Sequence, residues 1–133
     1  EIMEARAALE SMAASLANRN WTEADTEFVT KNIEEQTKAR SLAELSRLDI
    51  DLHHYVVTSS GNLRLLQLWE PLRWQWEAHL AEIYRRQKGD DFIPEKETIK
   101  AHQNLLKALA EGTPAEASEA MMHHILFNLR WAK

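Results

Sequence analysis

Three glycines and three prolines are spread over 133 residues, so the chain holds very few of the residues that make hairpins and tight turns. A sequence this poor in turn formers cannot alternate many short strands. It predicts an all-α fold of long helices joined by brief connections. The length suits one domain with a real hydrophobic core. No cysteine is present, which excludes disulfides and thiolate metal sites. The charge balance, 21 acidic against 16 basic side chains for a formal net of −5, argues against this chain clamping nucleic acid by itself, because phosphate binding needs concentrated Lys and Arg.

No apolar run approaches the roughly eighteen residues of a membrane span. The opening residues also lack the charged-then-apolar layout of a signal peptide. Both absences point to the cytoplasm. The chain enters at Glu1 directly in helical pattern, as expected of a piece of a longer protein.

Apolar spacing and breakers together predict an antiparallel bundle of about six helices. The first runs to about residue 18, with Ile2, Leu9, Met12, Ala13 and Leu16 on one stripe. Thr22 then stands as an N-cap, with Glu23, Asp25 and Glu27 behind it at the positive end of a polar, outermost second helix that reaches about Arg40. Ser41 caps a third, which Ser59-Ser60-Gly61-Asn62 stops. The fourth is the longest, from about Leu63 to Gln87, and carries Trp69, Trp74 and Trp76 before Lys88-Gly89-Asp90-Asp91. Pro94 opens a fifth and Gly112 closes it as a C′ residue; Thr113-Pro114 starts a sixth that extends to Trp131. The short connections predict that consecutive helices pack against each other.

Function in such a bundle shows as polar groups on stripes that ought to be apolar. Asp49 and His53 stand four apart among Leu45, Leu48, Leu52, Val56 and Val57, which puts them one above the other on a core-facing surface. The pair suits either an Asp–His hydrogen bond or two metal ligands from adjacent turns of one rigid element. His102 shares its face with Thr98, Ile99, Leu105, Leu106 and Leu109, and is either a structural core histidine or a third ligand. His124 faces Ala120, Met121 and Phe127, whereas His54, His79 and His123 have polar neighbours and read as surface or boundary residues. Arg6 lies among Ile2, Met3, Leu9 and Ala13. It either pairs with Glu10 or serves as an anion clamp, since its planar fork matches a carboxylate. One carboxylate and three imidazoles from three helices form a donor set suited to Zn²⁺, Ni²⁺ or a similar divalent ion.

These residues carry a recognisable pattern: Leu48-Asp49-x-x-Leu52-His53, then Ser60-Gly61-Asn62, His102-x-x-Leu105-Leu106-x-Ala108, Gly112, Ala117 and Met121-x-x-His124, preceded by Glu4-x-Arg6-x-x-Leu9-Glu10. It resembles the FCD domain, the C-terminal effector-binding domain of FadR-type regulators in the GntR family, from the first residues to about Leu129. Two departures are visible. Leu52 replaces the usual aromatic, and Thr113-Pro114 replaces the usual acidic residue after the glycine; neither touches the proposed ligands.

The resemblance implies a divalent metal held by Asp49, His53, His102 and His124 in an antiparallel helical bundle, a small organic acid as effector, and a homodimer. It also implies an N-terminal winged helix-turn-helix domain, absent from this chain, that binds operator DNA, so that residues 1–133 are the sensing and dimerisation part. One carboxylate and three neutral imidazoles would leave a divalent site with net positive charge, and the electrostatics agree with an anionic effector. Arg6 and Asn62 are then the expected further effector contacts, with the three tryptophans walling the pocket, forming a dimer contact or simply filling core. Two other readings stand beside this one. A metal-free interaction module would use the histidines only as core. A metal-dependent hydrolase would need an additional inward Glu or His as base, and the pattern predicts none.

Overall fold

The computed structural model describes residues 1–86 and 96–127. Among them are six helices: α1 (Ile2–Arg19), α2 (Glu23–Thr37), α3 (Leu42–Ser59), α4 (Leu63–Arg86), α5 (Lys96–Glu111) and α6 (Pro114–Phe127). The expected stop at Lys88–Asp91, the start at Pro94 and the extension to Trp131 lie outside the described residues.

Local chemistry sets the ends. Thr22 and Asp25 form a reciprocal capping box, Thr22 Oγ1 accepting from Asp25 N at 3.2 Å and Asp25 Oδ2 from Thr22 N at 2.8 Å. Ser41 accepts from Glu44 N at 3.1 Å to start α3. Thr113 and Glu116 repeat the reciprocal arrangement at the start of α6. Gly112 follows α5 as expected, but for a different reason. Gly61 is the residue with positive φ among those described, at 71°, whereas at Gly112 a Cβ would sit 2.6 Å from the Ala108 carbonyl oxygen. Space, not handedness, demands glycine there. Pro71 lies inside α4, which continues through it despite the missing N–H.

Helix α1 is the hub. It packs on α6, α3, α4 and α5, while α2 packs on α3 and α5. Consecutive packing therefore holds for α2/α3, α3/α4 and α5/α6, but α2 does not fold back along α1, nor, among the described residues, α5 along α4. The reason lies in the buried face of α1, made of Ala7, Ala13, Ala14 and Ala17 with Arg6, Glu10 and Ser11. Small side chains let several backbones approach at once, and α6, α3 and α4 take those places. The stripe expected from Leu9, Met12 and Leu16 is thus displaced. Met12 is 53% exposed, and the large apolar residues sit at the margins of a helix buried through its methyl groups.

Asn18 near the end of α1 donates its Nδ2 to the carbonyls of Leu109 and Gly112, both at 2.9 Å, which satisfies acceptors left open at the end of α5. This places the end of α1 beside the α5–α6 turn. The residues of α6 run back from there toward Arg6 and Glu10, so α1 and α6 are antiparallel. The core divides into Ala7, Ala14, Ala17, Val29, Ile33, Leu52, Val56, Leu105, Leu109, Ala117, Met121 and Ile125 on one side and Ala13, Ile50, Val57, Trp69 and Trp76 on the other. A polar cluster lies between them.

Candidate metal centre

Asp49 and His53 on α3, His102 on α5 and His124 on α6 meet at one place. Each offers one ligand atom, and these four atoms lie within 4.8 Å of one another. The histidines are buried, and Asp49 is about a quarter exposed, its side chain at 24%. Ring centroids are 5.2 Å apart for His53 and His124, 4.8 Å for His102 and His124, and 6.2 Å for His53 and His102. As the facing argument expects, His54 and His79 are only partly buried and His123 is exposed.

One carboxylate oxygen organises two of the rings. Asp49 Oδ1 lies 2.9 Å from His102 Nε2 and 3.3 Å from His53 Nε2. The other nitrogens of these rings point away from the cluster: His102 Nδ1 is 2.7 Å from Gln36 Oε1, and His53 Nδ1–H donates to Glu10 Oε1. Both rings therefore turn Nε2 inward with Nδ1 tied to an acceptor behind, the arrangement that orients metal-bound histidines. His124 Nδ1 is buried without any hydrogen-bond partner, a costly state for a polar atom.

The donor set fits a divalent ion. Zinc-type bonds of about 2.0–2.1 Å place donors about 3.3 Å apart in a tetrahedron and about 4.2 Å apart across an octahedron. The widest pair here has to close by about 0.6–1.5 Å, a shift within reach of side-chain torsions.

Glu10 enters the sequence reading only as a motif residue and as a partner for Arg6, not as a member of the site. It is completely buried and holds Arg6 Nε–H at 2.9 Å as well as His53. An inward acidic residue thus exists beside the cluster, contrary to expectation. Burial alone would raise its carboxyl, but His53 and Arg6 outweigh that and hold it at about 2. Burial likewise pulls His53 down, and Glu10 and Asp49 overcome it to push the ring up to about 9. Burial raises Asp49 too, yet His102 and His53 keep it well below the usual carboxylate range. His124 is the opposite case: burial, with His53 and His102 beside it, pushes it down to about 3, so it is neutral near pH 7.

Arg6 is buried as well, paired with Glu10 as the simpler sequence reading allows. Its guanidinium carbon lies 3.4 Å from the centre of the Trp76 ring, a cation–π contact. A terminal nitrogen stands 3.4 Å from His53 Nδ1, two donors flanking one carboxylate. Asn62, exposed just before α4, caps that helix by accepting Leu65 N–H at 3.1 Å. The tryptophans separate. Trp76 walls the site, edge-on to His53 at 5.3 Å, Trp69 is buried in the core, and Trp74 is 64% exposed.

None of the described helices is long and apolar enough to cross a membrane. A comparison with curated proteins finds no match. The sequence does match the FCD domain family over residues 1–127, nearly its whole length and every residue of the buried cluster, and the chain belongs to that family.

Proposed function

We propose that this chain is the effector-sensing domain of a GntR/FadR-type transcriptional regulator, in which Asp49, His53, His102 and His124 hold a divalent metal ion, Zn²⁺ or Ni²⁺, and a small organic acid is the effector. Family membership supports the regulatory part of this reading. The metal part is carried by one observation, the convergence of four ligand atoms from three helices. The unpartnered Nδ1 of His124 adds to it, because a ring drawn toward an ion loses the isolation that makes its burial costly.

The ion would supply positive charge and open coordination positions to a carboxylate. The protein's own groups prepare that meeting. His53 and His102 present Nε2 with their orientation fixed from behind, and His53 must release the proton that Glu10 and Asp49 hold on it, so loading is coupled to proton release. Arg6 adds positive potential from beside His53, already anchored by Glu10 and Trp76. Asn62 keeps its amide N–H groups for a ligand while its oxygen caps α4. The partly exposed side of Asp49 is the side open to an incoming acid. In the full reading the domain works as a cytoplasmic homodimer, and a winged helix-turn-helix unit outside this chain contacts operator DNA. The role is regulatory, without catalysis: Glu10, ionised down to about pH 2 and held from two sides, is a poor general base.

A metal-free interaction module is the second reading. It is favoured by the close approach of Asp49 Oδ1 to two rings, 2.9 Å from His102 Nε2 and 3.3 Å from His53 Nε2, which gives the carboxylate partners without an ion. Elemental analysis of the domain before and after chelation, followed by a thermal-shift screen of small carboxylic acids on both forms, separates the two. Metal in the untreated protein, with an acid that raises the midpoint only of the loaded form, supports the sensor. No metal uptake after addition of Zn²⁺ or Ni²⁺, together with no response to any acid, leaves the module.

A further inference from the structure

Helix α2 supplies no ligand, yet a line of buried amides runs from it into the cluster. Asn32 Nδ2 is 3.0 Å from the carbonyl oxygen of Leu48. Gln36 Nε2 is 2.7 Å from Asn32 Oδ1, and Gln36 Oε1 is 2.7 Å from His102 Nδ1. His102 Nε2 then meets Asp49 Oδ1 at 2.9 Å. The line leaves α3 at Leu48, passes through α2 and α5, and returns to α3 at the next residue, Asp49.

Its direction is fixed by its first member. A main-chain carbonyl only accepts, so the Asn32 atom facing Leu48 is the NH₂ group. Asn32 therefore turns its oxygen to Gln36, Gln36 answers with its NH₂ group, and its oxygen is left for His102. Only an N–H on Nδ1 satisfies that oxygen; Asp49 on the other side is an acceptor too, and it competes for the proton at Nε2 until an ion takes that nitrogen. Gln36 is 0% and Asn32 6% exposed, so no solvent is at hand to pair with a reversed amide.

We infer that Asn32 and Gln36 are positioning residues that lock the proton of His102 on Nδ1 and so make Nε2 the atom it offers to the site. The consequence for metal binding rests on the reading proposed above; the direction of the line does not. A group that orients a ligand from behind in this way typically accounts for about 10–100-fold in metal affinity.

The test uses the domain labelled with ¹⁵N-histidine, with Zn²⁺ as the probe. In the loaded wild type, NMR is expected to show His102 with a protected Nδ1–H and Zn²⁺ on Nε2. Gln36→Met, close in volume but without the acceptor, is expected to lose that protection and weaken Zn²⁺ binding about 10–100-fold, while Gln36→Glu, which still accepts, stays within about threefold of wild type or tighter. Zn²⁺ on Nδ1 of the wild type, or unchanged affinity in Gln36→Met, overturns the inference, and the first of these needs no variant to fold. If the wild type takes up no Zn²⁺, the metal reading fails by itself. The tautomer of the ring is then read in the metal-free domain: the proton on Nδ1 sustains the positioning role, and the proton on Nε2 overturns it.

Discussion

On the α1 side of the cluster a carboxylate, Glu10, stands behind His53; on the α2 side a neutral amide, Gln36, stands behind His102. Both point a ring inward, but their surroundings differ. The carboxylate is charged in a place without water, and it is tolerable only because Arg6 and His53 surround it and Trp76 covers the guanidinium. The amide needs no counter-ion, only a partner at each end. The charged anchor makes His53 more basic, and it brings a much larger debt when a member is lost.

Truncating the two anchors is the strongest way to break that comparison. Glu10→Ala leaves Arg6 buried without its carboxylate, and the metal-free domain is expected to lose about 3–5 kcal/mol in urea unfolding. Gln36→Met should lose far less stability and register mainly in metal affinity. Equal losses from the two would mean that burial, not charge, sets the cost.

The pH dependence of the metal-free domain sharpens the same contrast. His53 is raised to about 9, so the stability its proton contributes is complete below about pH 6.5 and is lost as the pH rises through 9, on the order of 1–3 kcal/mol. His124, lowered to about 3, acts oppositely: its contribution is present above 6.5 and is lost as the pH falls toward 3. Glu10, at about 2, adds a further loss below about 4.5. Denaturation midpoints should therefore peak near pH 6.5. Glu10→Gln should flatten the alkaline limb, and a limb of unchanged slope would remove Glu10 as the source of the basicity.

His124 has neither kind of anchor, and it supplies the next test. His124→Leu replaces an unsatisfied buried ring with an apolar side chain, so the metal-free domain should gain up to about 1 kcal/mol while metal uptake measured by elemental analysis falls away. A destabilised metal-free variant would show that the ring has a partner in solution. The smallest effect is expected at a distance from the cluster. Asn18→Ala removes the side-chain hydrogen bonds to the carbonyls at the end of α5 and should cost about 1 kcal/mol in unfolding with metal affinity unchanged.

The contrast also explains what could be read in advance. The four cluster residues were legible because an ionisable group on an apolar stripe is a local anomaly, visible at spacings of three and four along one helix. The helix starts at Thr22, Ser41 and Thr113 were equally local, as was the simpler pairing of Arg6 with Glu10. That Glu10 faces inward was hidden, because an arginine and a glutamate four apart look like any solvated ion pair, and because the methyl-lined face of α1 gives a weaker signal than Met12 and Leu16. Asn32 and Gln36 were hidden more deeply. Amides in a polar helix look like surface, and their role exists only once α2 lies across α3 and α5. Asn62 was legible as part of a loop, while its part as the cap of α4 depended on where that helix begins.

The four alanines on the buried face of α1 carry a mechanical consequence. A helix seated through methyl groups has no long side chain there whose torsions can absorb a neighbour's displacement, so its axis follows its neighbours as a stiff rod. Arg6 and Glu10 are the inward exceptions, and they sit where the rod passes the histidines. A change in ring position on α3 or α6 would meet few compliant side chains on α1 apart from these two, so the helix would shift with its neighbours as a unit more readily than it would deform.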